Sequence, residues 1–280
     1  MKQVVLNGKE LSKQIEFELK EKVDYLKLKT GKVATLATII VGDNPASKTY
    51  VKMKGNACER IGINSLKIEL EEKTTTEELL NVIKKLNNDE NVDGILLQHP
   101  VPKHIDERAC FNCIEMSKDV DGVNSASFGA ICMGEDAYFS ATPLGIVKLL
   151  DHYDIELEGK RVVVIGRSAI LGKPIAMMLL NRNATVTIAH SKTKDLEKIV
   201  KEADIVVACV GKPKFVKKEW LKEGVVIVDA GYNEGNVGDV DLENASIVAS
   251  AYTPVPGGVG PMTIASLLLQ TVDSFENKNK

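Results

Sequence analysis

Tyr50 and Lys54 stand four residues apart in a segment, Ala46–Ile61, whose apolar positions carry helical spacing, so both side chains project from one helix face. Y-x-x-x-K is a spacing found in enzyme active sites; for the pair alone, the alternative is a solvated lysine beside a packed tyrosine. Gln98-His99-Pro100-Val101-Pro102 follows the apolar run Gly94–Leu97, at the strand end where α/β sheets place ligands. Lys118-Asp119-Val120-Asp121-Gly122 is a turn-rich acidic loop. Gly166-Arg167-Ser168-Ala169-Ile170-Leu171-Gly172 follows the apolar strand Arg161–Ile165 and opens a helix. Its glycines permit a tight turn, and a helix N-terminus offers free N–H groups to a pyrophosphate. The spacing is G-R-S-x-x-x-G, a departure from the dinucleotide pattern G-x-G-x-x-G. The next strand, Thr185–Ala189, ends in His190-Ser191-Lys192-Thr193, without the acid that binds the ribose hydroxyls of NAD. Arg167 and these polar residues suit a 2′-phosphate, so NADP is expected over NAD. Helix capping by Ser191 or Thr193 accounts for the same residues and can coexist with binding. Pro254-Val255-Pro256-Gly257-Gly258-Val259-Gly260-Pro261-Met262-Thr263 is either a stiff connector or a loop whose glycines let another molecule approach the backbone.

The elements that position these residues alternate between strand and helix, which predicts an α/β fold with parallel strands. Leu11–Leu28 reads as an opening helix, Lys32–Val41 and Ser65–Leu70 as strands, and Thr76–Leu86 and Asp106–Ile114 as helices. Ser125–Ala137 is small and weakly periodic, suiting a change of domain. Thr142-Pro143 reads as N-cap and first residue of a helix over Leu144–Tyr153. After it come strands Arg161–Ile165, Thr185–Ala189, Asp204–Val210 and Val225–Asp229, separated by helices over Lys173–Leu180 and Asp195–Glu202. A short helical piece surrounds Trp220. Apolar runs without alternation require a parallel sheet covered on both faces. Two domains are expected, 1–140 and 141–262, with a C-terminal helix over 263–280 that packs back on the first.

Net charge excludes some partners. Lys and Arg number 36 against 39 Asp and Glu, which leaves no basic excess for tracking nucleic acid. The longest apolar stretches are far short of a membrane span, and the start lacks the apolar core of a signal peptide, so a cytoplasmic protein is expected. Five cysteines are scattered in a chain too large to need staples. The lone pair Cys110-x-x-Cys113 has no second pair to complete a zinc site and reads as two half-buried small apolar residues; no metal is expected.

Tyr50 and Lys54 follow the Y-x-x-x-K spacing of the short-chain dehydrogenases, but that pair follows the nucleotide turn in those enzymes and precedes it here. Taken together, Ser47–Lys54, Gly94–Pro102, Lys118–Gly122, Gly166–Pro174, His190–Thr193 and Pro254–Thr263 resemble, in order, the bifunctional methylenetetrahydrofolate dehydrogenase/cyclohydrolases. The string P-V-P-G-G-V-G-P-M-T is the most specific of these. The resemblance implies an N-terminal α/β catalytic domain, a C-terminal Rossmann domain, an active-site cleft between them, and a homodimer. It implies oxidation of 5,10-methylenetetrahydrofolate with NADP and then hydrolysis to 10-formyltetrahydrofolate, in one-carbon metabolism feeding purine biosynthesis. By position, Lys54 is the catalytic lysine and Gln98 the glutamine that positions it. Tyr50 packs on the pterin-bearing ligand, and Asp121 accepts from its amino-pyrimidine edge. Ser47, Gly258 and Pro261 shape the substrate site. Gly166, Arg167 and Ser168 form the phosphate-reading turn, Ser191 and His190 meet the 2′-phosphate, and Tyr232 presents backbone to the nicotinamide end. Two positions depart from the family: His99 replaces a frequent leucine, as a wall residue or a modifier of local pKa, and Ala141 replaces a frequent cysteine. The alternatives are a dehydrogenase with little cyclohydrolase activity and a non-catalytic nucleotide-binding protein.

Overall fold

The structure is a computed structural model that describes residues 3–280; Met1 and Lys2, part of the N-terminal segment read above, lie outside the described residues. In chain order the elements begin with β1 (Val4–Val5), α1 (Gly8–Thr30), β2 (Thr35–Val41), α2 (Pro45–Ile61) and β3 (Asn64–Leu70). Next come α3 (Thr76–Asn87), β4 (Gly94–Leu97), α4 (Glu107–Cys113), α5 (Ser125–Met133) and α6 (Ala141–His152). They are followed by β5 (Arg161–Ile165), α7 (Gly172–Leu180), β6 (Thr185–Ala189), α8 (Leu196–Lys201) and β7 (Ile205–Ala208). The last are β8 (Val225–Asp229), α9 (Leu242–Ala245), β9 (Ala249–Tyr252) and α10 (Val259–Lys278). Among the described residues no helix is long and apolar enough to cross a membrane.

The chain divides into two compact units. One takes the N-terminal residues up to Ser12, Ile131–Gly134 and Thr142–Thr263; the other takes Lys13–Ala130, Glu135–Ala141 and Ile264–Lys280. The second, here the catalytic unit, holds a parallel three-stranded sheet in the order β3-β2-β4. Its core gathers Leu19, Val23 and Leu26 of α1, Ala57 and Ile61 of α2, and Ile264, Leu267, Leu268, Val272 and Phe275 of α10. β4, although at the edge of this sheet, is buried at all four positions, which suits its apolar run Gly94-Ile95-Leu96-Leu97.

The other, or Rossmann, unit carries a six-stranded parallel sheet in the order β1-β9-β8-β7-β5-β6. The N-terminal residues therefore join this unit, although they precede the catalytic unit in sequence: Val4 and Val5 pair with Ala251 and Tyr252 at the sheet edge. β7 and β8 are buried along their whole length, whereas the edge strand β6 alternates.

Several boundaries differ from the sequence expectation. Ser125–Met133 is helical: the Asn124 side chain accepts from the Ala126 N–H at 2.8 Å, and Gly134 ends the turn at φ 74°. Thr142 is not a cap, because α6 begins at Ala141, and its hydroxyl instead meets that of Thr263 at 2.9 Å. Pro143 is tolerated because the first helical turn leaves its N–H positions without intrahelical partners. The same reasoning lets Pro261 sit in the first turn of α10, which starts at Val259, four residues before the expected start.

Candidate functional site

In the catalytic unit, Asn44 starts α2 by accepting from the Ser47 N–H at 3.1 Å, and Pro45 occupies the first turn. The buried positions of α2 are Ser47, Val51, Lys54, Ala57, Cys58 and Ile61, a stripe that carries Lys54 inward although lysine normally stays in water. Tyr50 sits one turn before Lys54 and keeps 37% of its surface exposed. Gln98 extends β4, its N–H donating to the Ile39 carbonyl at 2.8 Å. The Gln98 side chain is oriented by its own neighbour: Nε2 donates to the His99 carbonyl at 2.8 Å, leaving Oε1 to accept from Lys54 Nζ at 3.0 Å.

Burial lowers the Lys54 pKa from the ordinary lysine value, and the Asp121 carboxylate opposes that shift. A glutamine at position 98 matters for this balance. It fixes Nζ without adding a negative charge that would hold the ammonium form. For Asp121 the same forces act in reverse: burial raises its pKa, while Lys54 and then His99 pull it down. His99 is thus both a wall residue, edge-on to Phe111 with centroids 6.3 Å apart, and part of the field on Asp121.

The loop carrying Asp121 is held from several sides. Asp119 is fully buried and accepts from the N–H groups of Val123 and Asn124 at 3.0 and 2.9 Å and from the Ser127 hydroxyl at 2.7 Å. Burial pushes its pKa up to about 6. Gln270 donates to the Val120 carbonyl at 2.8 Å, and Ser140 to that of Gly122 at 2.7 Å. Lys118 donates to the carbonyls of Leu86, Asn87 and Asp89 at the end of α3. Gly122 needs its missing Cβ: one placed there would lie 2.2 Å from the Phe139 carbonyl carbon. Cys110 is buried in α4 with its thiol pushed up to about 11 by burial, against any role as thiolate.

In the Rossmann unit, Gly166 leaves β5 at φ 137°, a conformation open to glycine, and a Cβ there would lie 2.4 Å from the Cys209 carbonyl oxygen. The Ser168 hydroxyl accepts from the Gly172 N–H at 3.2 Å as α7 begins. Arg167 and Ser168 are exposed. Because Ile165 and Ala189 are register partners, His190 and Ser191 emerge beside Gly166, whose N–H donates to the Ala189 carbonyl at 2.8 Å. The His190 N–H donates to the Thr193 hydroxyl at 2.8 Å, closing the turn that exposes Ser191. Tyr232 follows β8, with β7 between it and β5, and its hydroxyl donates to Asn236 at 2.6 Å. Gly258 is buried where α10 begins, and Pro261 lies in that helix's first turn.

Residues 6–121 match the family described as tetrahydrofolate dehydrogenase/cyclohydrolase, catalytic domain, and residues 140–279 match the NAD(P)-binding domain of the same family. The chain belongs to the tetrahydrofolate dehydrogenase/cyclohydrolase family. It is 61% identical over 278 residues to the bifunctional protein FolD of Teredinibacter turnerae, covering 99% of each chain. It superposes on the solved FolD methylenetetrahydrofolate dehydrogenase/cyclohydrolase of Campylobacter jejuni with a TM-score of 0.97, 49% identity and 99% coverage of both. The Trypanosoma brucei enzyme, solved with NADP cofactor and inhibitor, gives a TM-score of 0.96 at 36% identity, again covering 99% of each chain.

For a tetrahydrofolate dehydrogenase/cyclohydrolase, the catalytic unit brings Lys54, Gln98 and Asp121 into one electrostatic neighbourhood, with Ser47 and Tyr50 on the helix that supplies Lys54. Of the residues expected to meet the cofactor, Gly166, Arg167, Ser168, His190 and Ser191 lie at the carboxyl ends of β5 and β6, and Tyr232 follows β8. Sequence reading missed Asp119, whose only signal was its place in a short loop with two acids.

Proposed function

We propose that this chain oxidises 5,10-methylenetetrahydrofolate to the methenyl cation with NADP and hydrolyses that cation to 10-formyltetrahydrofolate, as a cytoplasmic homodimer in one-carbon metabolism. The observation that carries the reading is the buried Lys54 amine, bonded at 3.0 Å to a neutral amide and lowered in pKa by burial.

Folate chemistry in this reading rests on five side chains. Asp121 accepts paired N–H bonds from the amino-pyrimidine edge, where a carboxylate gives charge-assisted bonds. Tyr50 offers its half-exposed ring to the pterin, and Ser47 shapes the floor of the same pocket. Gln98 aims Nζ. In hydrolysis, water oxygen bonds to the methenyl carbon while neutral Lys54 takes one water proton; the carbon–N5 bond then breaks and Lys54 returns that proton to N5. The hydroxyl proton of the intermediate leaves to solvent as the formyl carbonyl forms.

The cofactor-side residues fit NADP. The Gly166 turn opens onto the N-terminus of α7, whose dipole favours an anion, and no acid closes β6 against a 2′-phosphate. Gly166, Arg167 and Ser168 form the phosphate-reading turn, from which Arg167 joins Ser191 and His190 on the 2′-phosphate, and the backbone at Tyr232 meets the nicotinamide end. When bound, NADP accepts the hydride from the methylene carbon. Alignment of donor and acceptor then supplies most of the rate, with no further acid or base required.

Two absorbance traces test the reading: NADPH formation from methylenetetrahydrofolate and NADP, and decay of the methenyl signal without cofactor. Both should accelerate with enzyme; failure of either removes that half-reaction. Arg167→Ala should weaken NADP binding by about tenfold and NAD binding much less, because only NADP carries the extra phosphate. Equal losses would remove Arg167 from phosphate recognition.

A further inference from the structure

Two buried carboxylates in the Rossmann unit take no part in the chemistry above. Asp239 and Asp229 are 0% and 1% exposed, and Asp239 has no cationic partner among the described residues. Burying an unpaired carboxylate is costly, so its lone pairs must be filled by aimed donors. Asp239 Oδ2 accepts from the Val210 and Gly211 N–H groups at 2.6 and 2.9 Å. Its Oδ1 accepts from the Lys212 N–H at 2.9 Å and from Asn233 Nδ2 at 3.1 Å. Three successive backbone N–H groups converge on one carboxylate because Gly211 adopts φ 65°, the left-handed conformation that curls a chain into an anion-binding nest.

Asp229, the last residue of β8, holds Asp239 in place. Its Oδ1 accepts from the Gly231 and Asp239 N–H groups at 3.0 and 2.9 Å, and its Oδ2 from the Val240 N–H at 2.9 Å. Two glycines make room: a Cβ at Gly231 would lie 2.2 Å from the Asp239 carboxyl carbon, and one at Gly238 would lie 2.0 Å from Asp229 Oδ2. Burial and the neighbouring Asp239 raise Asp229 to about 6.

The nest lies just after Cys209, which follows β7 and presses on Gly166. The Cys209 N–H donates to the Ile165 carbonyl at 2.9 Å, and its carbonyl oxygen occupies the space a Gly166 Cβ would need. Asp239 therefore reaches the phosphate-reading turn through one short segment, and through Asn233 it also grips the chain next to Tyr232. We infer that Asp239 is a positioning residue for NADP: its carboxylate gathers the Val210–Lys212 N–H groups and so sets the segment that backs the Gly166 turn. This rests on the assignment of that turn to the cofactor phosphates.

The test compares Asp239→Asn with Arg167→Ala in the full-length protein. Asp239→Asn keeps the volume but turns one acceptor oxygen into a donor facing N–H groups. The NADP KM and Kd should rise by at least about tenfold, with dehydrogenase kcat at saturating NADP and cofactor-free cyclohydrolase activity within about twofold. Amide hydrogen exchange should quicken across residues 209–214 and stay unchanged in β5. Unchanged NADP affinity in Asp239→Asn, with Arg167→Ala weakened, overturns the inference alone. Unchanged affinity in Arg167→Ala overturns the phosphate assignment and the inference with it. Cyclohydrolase activity falling in step with NADP affinity also overturns it, by making Asp239 a general support of the fold. Should Asp239→Asn not fold, Asn233→Ala removes one donor from Oδ1; it should raise the NADP KM about threefold with cyclohydrolase activity retained, and no rise overturns the inference.

Discussion

Lys54→Met is expected to reduce cyclohydrolase turnover by about a thousandfold while folate affinity changes little, the loss typical of removing a general base. Methionine is unbranched and of similar length, so it suits the interior stripe of α2 that already buries Lys54. The substitution removes the amine without opening a large cavity. Substantial hydrolysis by the folded variant would take Lys54 out of the mechanism. A pH profile of the wild-type enzyme adds a second reading. A lysine base works only when neutral, so activity should rise with pH through the folded-state pKa, and burial places that inflection below the ordinary lysine value. The Asp121 charge holds the pKa up, so Asp121→Asn should move the inflection to still lower pH. An inflection that stays put in Asp121→Asn would mean another group titrates in the profile.

How much of this site could be read from the chain depends on the kind of signal each part leaves. The limits of β4, β5 and β8 coincide with their apolar runs, because a buried parallel strand can hold little else, and those of the edge strand β6 coincide with its β-branched run. β9 escaped notice because Ala249-Ser250-Ala251-Tyr252 is small and half polar, and β1 because two residues carry no period. Both are strands only through pairing with distant segments. The Tyr50–Lys54 spacing was legible as one helix face; that Lys54 points inward depends on the whole stripe from Ser47 to Ile61. Its union with Gln98 depends on β2 and β4 pairing across more than fifty residues of chain, which only the family resemblance anticipated. Asp119 and Asp239 were illegible for a different reason. An acid in a glycine-rich turn looks the same in sequence whether it faces water or gathers buried N–H groups. The chain around it decides, through contacts that spacing does not encode.

Asp121→Ala is the second large effect: folate affinity should fall by about a hundredfold, with NADP affinity unchanged. The magnitude follows from losing two charge-assisted hydrogen bonds to one edge of the pterin, each worth about 1.5–3 kcal/mol before compensation by water. The loop should survive the change, because it is folded by Asp119, Gln270 and Ser140 rather than by the Asp121 side chain. Loss of folate affinity would therefore report the missing carboxylate and not a collapsed turn. The wild-type pH dependence has a definite sign. Only the ionised carboxylate can accept both N–H groups, so folate affinity should be full above the Asp121 pKa and decline as pH falls through it. Burial raises that pKa from the ordinary aspartate value, which starts the decline at a higher pH than for a solvated acid. The His99 charge opposes the rise, so His99→Leu should start the decline at a still higher pH. Isothermal titration with a folate analogue across acidic pH measures all three proteins. Folate affinity unaltered by Asp121→Ala would remove Asp121 from the pterin edge, and the acid would then serve only to moderate the charge on Lys54.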